Sequence, residues 1–253
     1  MTLHPSHQEQ LSGNKNMKLG NIVDTFVVPP HPKNIILYGS SIRIEPLDIE
    51  KHAKDLFNSN AIDSDGKNWT YLPYGPFETL ENYVEWLKLE TTTQDPSFFS
   101  IIRKSDQKAV GVASYLRINP KDGSIEVGHI NYSPLLQQTK EGTEAMYLMM
   151  EWAFENGYRR YEWKCNSLNL KSRITAQRLG FSYEGIFRQM MIAKDRNRDT
   201  ARFAVIDKEW KDLRKCFKKY LSDENFTDDD MSKISLSSLT KPLLYKKDNM
   251  EFS

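Results

Sequence analysis

The chain has 253 residues, 39% of them hydrophobic and 27% charged, with a formal net charge of +1, enough for one large or two small globular units with an ordinary core. No run approaches the roughly 20 apolar residues of a membrane span, and the opening MTLHPSHQEQLSGNKNMK lacks the apolar stretch of a secretion signal. Two cysteines, Cys165 and Cys216, make neither a disulfide framework nor a metal-ligand cluster, so the expectation is a cytoplasmic protein, the nucleus being equally compatible, with no metal and no membrane partner.

Residues 1–34 are rich in Pro, His, Asn and Lys without a sustained period and read as a flexible or wrapping extension. A folded domain is expected over 35–221. IRIEPL (42–47) alternates as a short strand, and Asp48 opens an amphipathic helix to Asn60 with Ile49, Ala53, Leu56 and Phe57 on one face. NWTYLPYGPF (68–77) is a loop dense in aromatics and prolines, followed by a helix over 78–89. Three strands at 97–104, 109–118 and 124–132, joined by short turn signals, predict an antiparallel meander. A helix over 143–156 carries the stripe Met146, Met149, Met150, Ala153 and stops at Gly157. The next strand, 158–165, can then lie parallel to 124–132 through a crossover. A second helix over 172–179 ends at Gly180, and 181–192 with 201–210 form a hairpin whose tip spans 195–199. From Ser222 the acidic DENFTDDD reads as a loosely attached tail over 222–253, apart from an apolar LLY. The class is α/β (α+β), a mixed sheet with one parallel strand pair.

Charge is uneven. Residues 158–219 hold 17 Lys and Arg against 7 Asp and Glu. Nucleic acid is one reading of that surplus, but aromatic residues are not interleaved in an RNA-binding pattern, and a small polyphosphate or a solvated surface serves equally well.

The polar turn between the parallel strands, Gln137, Gln138, Thr139, Lys140, Glu141, Gly142 and Thr143, leads straight into a helix. A helix N-terminus beyond the strand ends presents unpaired amides and partial positive charge, a seat for diphosphate. The Gly-Lys-Ser/Thr of a phosphate-transfer loop is missing, so the phosphates would be held and never attacked. Gly142 permits close approach, Gln137 and Thr139 can donate hydrogen bonds, and Lys140 can add charge. A well-capped surface helix is the other reading of this turn. Further on, NSLNLKSRITAQRLGF (166–181) places Asn169 and Ser172 three apart at a helix start.

Together the two stretches resemble the GNAT family of acetyl-CoA-dependent N-acetyltransferases. Its diphosphate turn, Q/R-x-x-G-x-G/A, is matched at Gln137 and Gly142, with Lys140 in place of the middle glycine. Its N-x-x-S followed by L-G-F is matched at Asn169, Ser172, Leu179, Gly180 and Phe181. RRYEWKCNSLN, FSYEGIFRQ and WTYLPYGPF are similar to the branch of ribosomal-protein N-terminal acetyltransferases. The similarity covers roughly residues 35–215. It implies a mostly antiparallel sheet with a splayed parallel pair and helices on both faces. The pantetheine arm of acetyl-CoA would lie in the splay, paired with the main chain of Ile130 and Tyr132. Lys171, Arg173 and Arg178 are candidates for the 3′-phosphate.

An acetyl transfer needs a deprotonated amine, a met oxyanion and a protonated leaving thiolate. Glu126, eleven residues before Gln137, has the spacing of a glutamate base in other family members, and His129 is a second candidate base. Ser172 resembles the serine that serves the thiolate, with Tyr132 as its alternate, and the Ile130 N–H would meet the oxyanion. Trp69, Tyr71 and Tyr74, with His129, Phe187 and Arg188, are expected to form the acceptor pocket around a primary amine of a small molecule or a peptide N-terminus. Cys165 has no activating partner in sequence and reads as a small apolar filler. A catalytically weak acetyl-CoA-binding module is the alternative function, and apolar residues in the tails are compatible with a homodimer.

Overall fold

The computed structural model describes residues 20–229 and 231–250; of the N-terminal extension, 1–19 lie outside the described residues. Eight strands form one sheet: β1 Leu37–Tyr38, β2 Ile42–Pro46, β3 Ser97–Arg103, β4 Ala109–Asn119, β5 Ser124–Tyr132, β6 Arg160–Asn166, β7 Ser182–Ala193 and β8 Arg196–Ile206. Their order is β1-β2-β3-β4-β5-β6-β8-β7, and every neighbouring pair is antiparallel except β5 with β6. The helices are α1 Ile49–Asn60, α2 Leu80–Glu90, α3 Lys140–Glu155, α4 Leu170–Arg178, α5 Asp207–Leu221 and the short α6 Leu236–Thr240. Polar caps set several starts: Asp48, Thr79, Thr139 and Asn169 each accept from an amide of the first turn of α1, α2, α3 and α4.

Alternation along the strands separates two cores. Phe99, Tyr115, Val127, Trp163 and Phe203 join α3, α4 and α5 on one face, including Met146, Met149, Met150 and Ala153 of α3, the predicted stripe. Each buried methionine there contributes on the order of 1.5–3 kcal/mol. Phe98, Ile102 and Val112 join α1, α2 and the aromatic loop on the other face. That second core reaches only as far as β4. On β5, β6 and β8 the same face carries Glu126, Glu162, Lys164, Thr200 and Arg202 instead of apolar side chains.

Three expectations are corrected. The hairpin turn is Lys194–Asp195 alone, both at positive φ (50° and 59°). Such a two-residue turn matches the twist of its strands, so the charged run 196–199 continues as strand. Residues 207–210 belong to α5, because Glu209 Oε2 accepts from the Ile206 amide at 3.0 Å and fixes the helix start where β8 ends. The tail from Ser222 is seated on the domain: the Asn225 amide donates to the carbonyls of Tyr220 and Ile234, Leu236 is fully buried, and Tyr183 N–H donates to Lys246 O at 2.9 Å. Its last anchor is a buried ion pair, Asp248 on Arg173 at 2.7 and 2.6 Å. Few but fully buried contacts hold a segment whose composition is hydrophilic. At the other end, Pro30 O accepts from the Tyr158 hydroxyl at 3.0 Å, and the Arg159 guanidinium lies over Phe26.

Candidate active site

The parallel pair is incomplete. β5 and β6 pair only from Ser124–Val127 to Arg160–Trp163, and both strands then continue apart. The cause lies on the other edge of β5. Val112 of β4 faces Asn131 while Ser114 faces Gly128, so β5 carries one extra residue in a bulge where His129 has φ of +48°. The bulge bends β5 away from β6 and opens a cleft of about 430 Å³. Trp163, Cys165, Asn169 and Ser172 line it from the face of α3 and α4, and Glu126, Lys164, Thr200 and Arg202 from the opposite face. The gap therefore passes through the sheet. Ile130 borders it. The carbonyl of Tyr132, expected to be a free main-chain partner, accepts from Gln137 Nε2 at 2.7 Å and from Asn68 Nδ2 at 3.3 Å.

The polar turn connects the end of β5 to α3. Thr139 caps α3, accepting from Gly142 N–H at 3.0 Å and donating to Leu136 O at 2.8 Å. A Cβ on Gly142 would stand 2.6 Å from the Leu136 carbonyl oxygen, so only glycine closes the turn this tightly. Gln138 occupies the left-handed region at φ of 59°. By helix geometry the amides of Lys140 and Glu141 lack intrahelical partners and face out of the N-terminus. The Lys140 ammonium does not join them: it pairs with Asp223 at 2.7 Å and lies over the Phe226 ring, so its charge is spent on the C-terminal segment. Glu144 is buried against the β1–β2 turn, accepting from Ser40 and Ser41. Arg178 stands against the first turn of α3, donating to Thr143 Oγ1 at 3.0 Å and Tyr220 Oη at 3.1 Å. Lys171 is exposed, whereas Arg173, wholly buried beneath α4, is bound to Asp248 and Ser167 O and is withdrawn from the role of a phosphate ligand.

Glu126 is 4% exposed and lines the cleft. Arg117 Nη1 donates to its Oε1 at 2.7 Å, and Lys164 Nζ lies 2.6 Å from Oε2 as an ion pair without hydrogen-bond alignment. Burial raises its pKa, and the opposing pull of Lys164 and Arg117 moderates the shift. Ser172 Oγ faces the cleft and accepts from Trp163 Nε1 at 3.0 Å, while its amide is held by Asn169 Oδ1 at 3.1 Å. Tyr132, the alternate to Ser172, is turned away: its hydroxyl donates to Gly142 O at 3.0 Å, pinning β5 to α3. Cys165 borders the cleft, but burial pushes its thiol up to about 11, so it is no thiolate near neutrality.

His129 stacks on Tyr74 with the rings 3° from parallel, and its Nδ1 is 3.0 Å from the Tyr74 hydroxyl. Burial pushes the Tyr74 phenol up, so it stays protonated. Burial, with Arg117 and Arg198 nearby, pushes the imidazole down to about 4. This is a neutral wall of the site rather than its base. The sign of the consequence is fixed by linkage: unfolded His129 binds a proton below about 6.5 and the folded form resists, so stability is full above 6.5 and is lost as pH falls toward 4. The cost is about 3 kcal/mol by pH 4, and melting temperatures recorded across that window should fall less steeply in His129→Asn.

The expected acceptor pocket is only partly assembled. Tyr71 lines the cleft and donates to Leu168 O at 3.2 Å. Trp69 is buried in the second core against Phe77 and Tyr74, a staple of the loop rather than a lining residue. Phe187 and Arg188 border a separate concavity on the β7–β8 hairpin. Their place in the cleft is taken by Met190 and Met191, with Arg198, Thr200 and Arg202 from β8. Period-two spacing of 198, 200 and 202 was available in the sequence, but Arg198 fell in the run assigned to the turn, which broke the series.

Residues 41–182 match the acetyltransferase (GNAT) domain family. A GCN5-related N-acetyltransferase from Brucella melitensis is 38% identical, with a TM-score of 0.84 over 87% of this chain and 100% of its own. A probable acetyltransferase of the GNAT family from Chromobacterium violaceum is 37% identical, with a TM-score of 0.72 over 77% of this chain and 98% of its own. The microcin C7 self-immunity acetyltransferase MccE, solved with acetyl-CoA and AMP, shares the fold alone at 18% identity, with a TM-score of 0.57 over 66% and 93% of the two chains. No curated protein matches. No helix among the described residues is long and apolar enough to cross a membrane, and no group of three or more His, Cys, Asp or Glu among them could hold a metal. With one family match spanning more than half of its length and a solved relative at 38% identity, the chain belongs to the GNAT family and is an acetyltransferase.

Proposed function

We propose that this enzyme moves the acetyl group of acetyl-CoA directly to a primary amine within a ternary complex. The observation that carries the reading is the gap between β5 and β6, lined from both faces of the sheet, with the capped N-terminus of α3 following the end of β5 in the chain. The diphosphate lies on the amides of that terminus with Arg178 beside it, and the pantetheine arm extends along the gap past Asn169 and Ile130. The amine enters from the face of Glu126. Its nitrogen attacks the thioester carbon, the oxyanion meets the Ile130 N–H, and the C–S bond breaks as the carbonyl re-forms. Glu126 takes the amine proton, directly or through one water, and the Ser172 hydroxyl supplies the proton or hydrogen bond that the CoA thiolate needs. A protonated Cys165 thiol is a poor nucleophile, which favours direct attack over an acyl-enzyme. A protein N-terminus, as in the ribosomal-protein branch that the sequence resembles, is one acceptor of this class.

Calorimetric titration with acetyl-CoA, followed by thiol release across a panel of amines and peptides, tests the reading. Absence of binding overturns it, and binding without release on any amine would make the domain a silent acetyl-CoA binder. Ser172→Ala should lower kcat by about 10²-fold with little change in the KM for acetyl-CoA. Asn169→Ala removes a helix cap worth about 1 kcal/mol and should raise that KM. Wild-type kinetics in both variants would remove these two residues from the site.

A further inference from the structure

The open half of the sheet holds charge that the acetyl donor cannot use. Along β8, Arg198, Thr200 and Arg202 follow one another at period two on the face opposite α3 and α4, and all three line the cleft. Arg198 Nε, Thr200 Oγ1 and Arg202 Nε are buried without a hydrogen-bond partner, and Thr200 as a residue is only 4% exposed. The carboxylate facing them is engaged elsewhere, Glu126 lying on Arg117 and Lys164. Lys164, which stands opposite Arg202 in the β6–β8 register, is held between Glu126 and Glu162. Arg202 has its guanidinium 3.8 Å from the centroid of Phe187, a stack that fixes the plane and leaves the donor edge free. Arg198 has its pKa lowered by burial, with Arg117 adding to the shift and Cys165 and Glu126 opposing it.

Buried donors left unpaired are costly, and a guanidinium is shaped for an oxyanion. The pantetheine arm carries no charge, and the phosphates of CoA belong at the α3 terminus on the far side of the sheet. We propose that the acceptor is an amine bearing its own oxyanion, a carboxylate or a phosphate, which Arg198 and Arg202 bind with Thr200 between them while the amine is presented to Glu126. This rests on the transferase reading above and adds its substrate class.

The test pairs acceptors that differ only in the anion: propylamine against β-alanine, ethanolamine against phosphoethanolamine, and an N-terminal Ala-Ala peptide amide against Ala-Asp. The anionic member of at least one pair should show a kcat/KM about 30-fold or more above its neutral partner, and the pair that responds separates carboxylate from phosphate and small molecule from peptide. Arg202→Gln should bring the kcat/KM of the anionic member down to that of its neutral partner. Arg202→Lys, which keeps the charge without the planar fork, should restore only part of it. Equal or better use of neutral amines by the unaltered protein overturns the inference, as does a uniform loss on all amines in a folded Arg202→Gln. If a variant fails to fold, inhibition of neutral-amine transfer by glutarate and inorganic phosphate in the unaltered enzyme decides: competition against the amine supports the anion site, and none refutes it. Failure of the transferase reading is separate, since it appears as no acetyl-CoA binding.

Discussion

Arg173→Ala should lower the unfolding free energy by about 3–5 kcal/mol, the cost of stranding one charge of a buried pair, and so the melting temperature by roughly 6–20 °C. The side chains of Arg173 and Asp248 are 1% and 2% exposed and meet in a two-point contact, with the third guanidinium edge on Ser167 O. Alanine would leave the Asp248 carboxylate without its cation and strip a hydrogen bond from the segment leading into α4. Asp248→Ala should match it in size, whereas Arg173→Met with Asp248→Leu removes both charges and should recover much of the loss. A chain ending after Lys246 strands Arg173 and should behave like Asp248→Ala. Denaturant titration of the four proteins decides; a loss under about 1 kcal/mol in both single variants would mean that the pair is not seated in solution.

Glu126→Gln should reduce kcat by about 10²–10⁴-fold, the contribution of a positioned base. The isosteric amide keeps the shape of a buried position but cannot accept the proton. A merely structural role for the Glu126, Arg117 and Lys164 cluster would also slow the enzyme, and the pH profile separates the two. A base works only when ionised. With its pKa raised above 4.5 by burial, activity is present above the folded pKa and is lost as pH falls through it. In the unaltered enzyme the acid limb of kcat should carry this ionisation, and in Glu126→Gln that limb should vanish from the residual rate. The neutral state of His129 above about 4 predicts no additional inflection near 6.5. Retention of the same acid limb in the variant would assign it to another group.

Much of the fold was legible because the sequence obeys simple patterns. The stripe of α3 repeats near 3.6, β3 and β4 are apolar runs bounded by turn signals, and the caps Asp48 and Asn169 stand at their helix starts. The hairpin tip was not, since one charged run looks alike whether it turns or extends, and only the two positive φ values at Lys194 and Asp195 tell them apart. The half of the site proposed for the cofactor rests on local motifs, the turn and the helix start each being contiguous. The acceptor half is assembled from β4, β5, β6 and β8, whose adjacency is a property of the sheet order. One signal for it was present. RYEWKCN alternates charged and apolar residues, although a parallel strand covered on both faces would be apolar throughout; the pattern marks a half-sheet without a helix over it. The place of Arg173 was hidden because its partner lies 75 positions later, in a segment whose composition gives no hint of burial.

A slot open at front and back has a kinetic consequence. Donor and acceptor that arrive from opposite sides need not wait for one another, so neither should be obliged to enter first, and spent CoA can withdraw while the acetylated product still occupies its own side. Initial-rate lines in double-reciprocal plots should then intersect rather than run parallel, and each product should compete with the reactant whose doorway it shares.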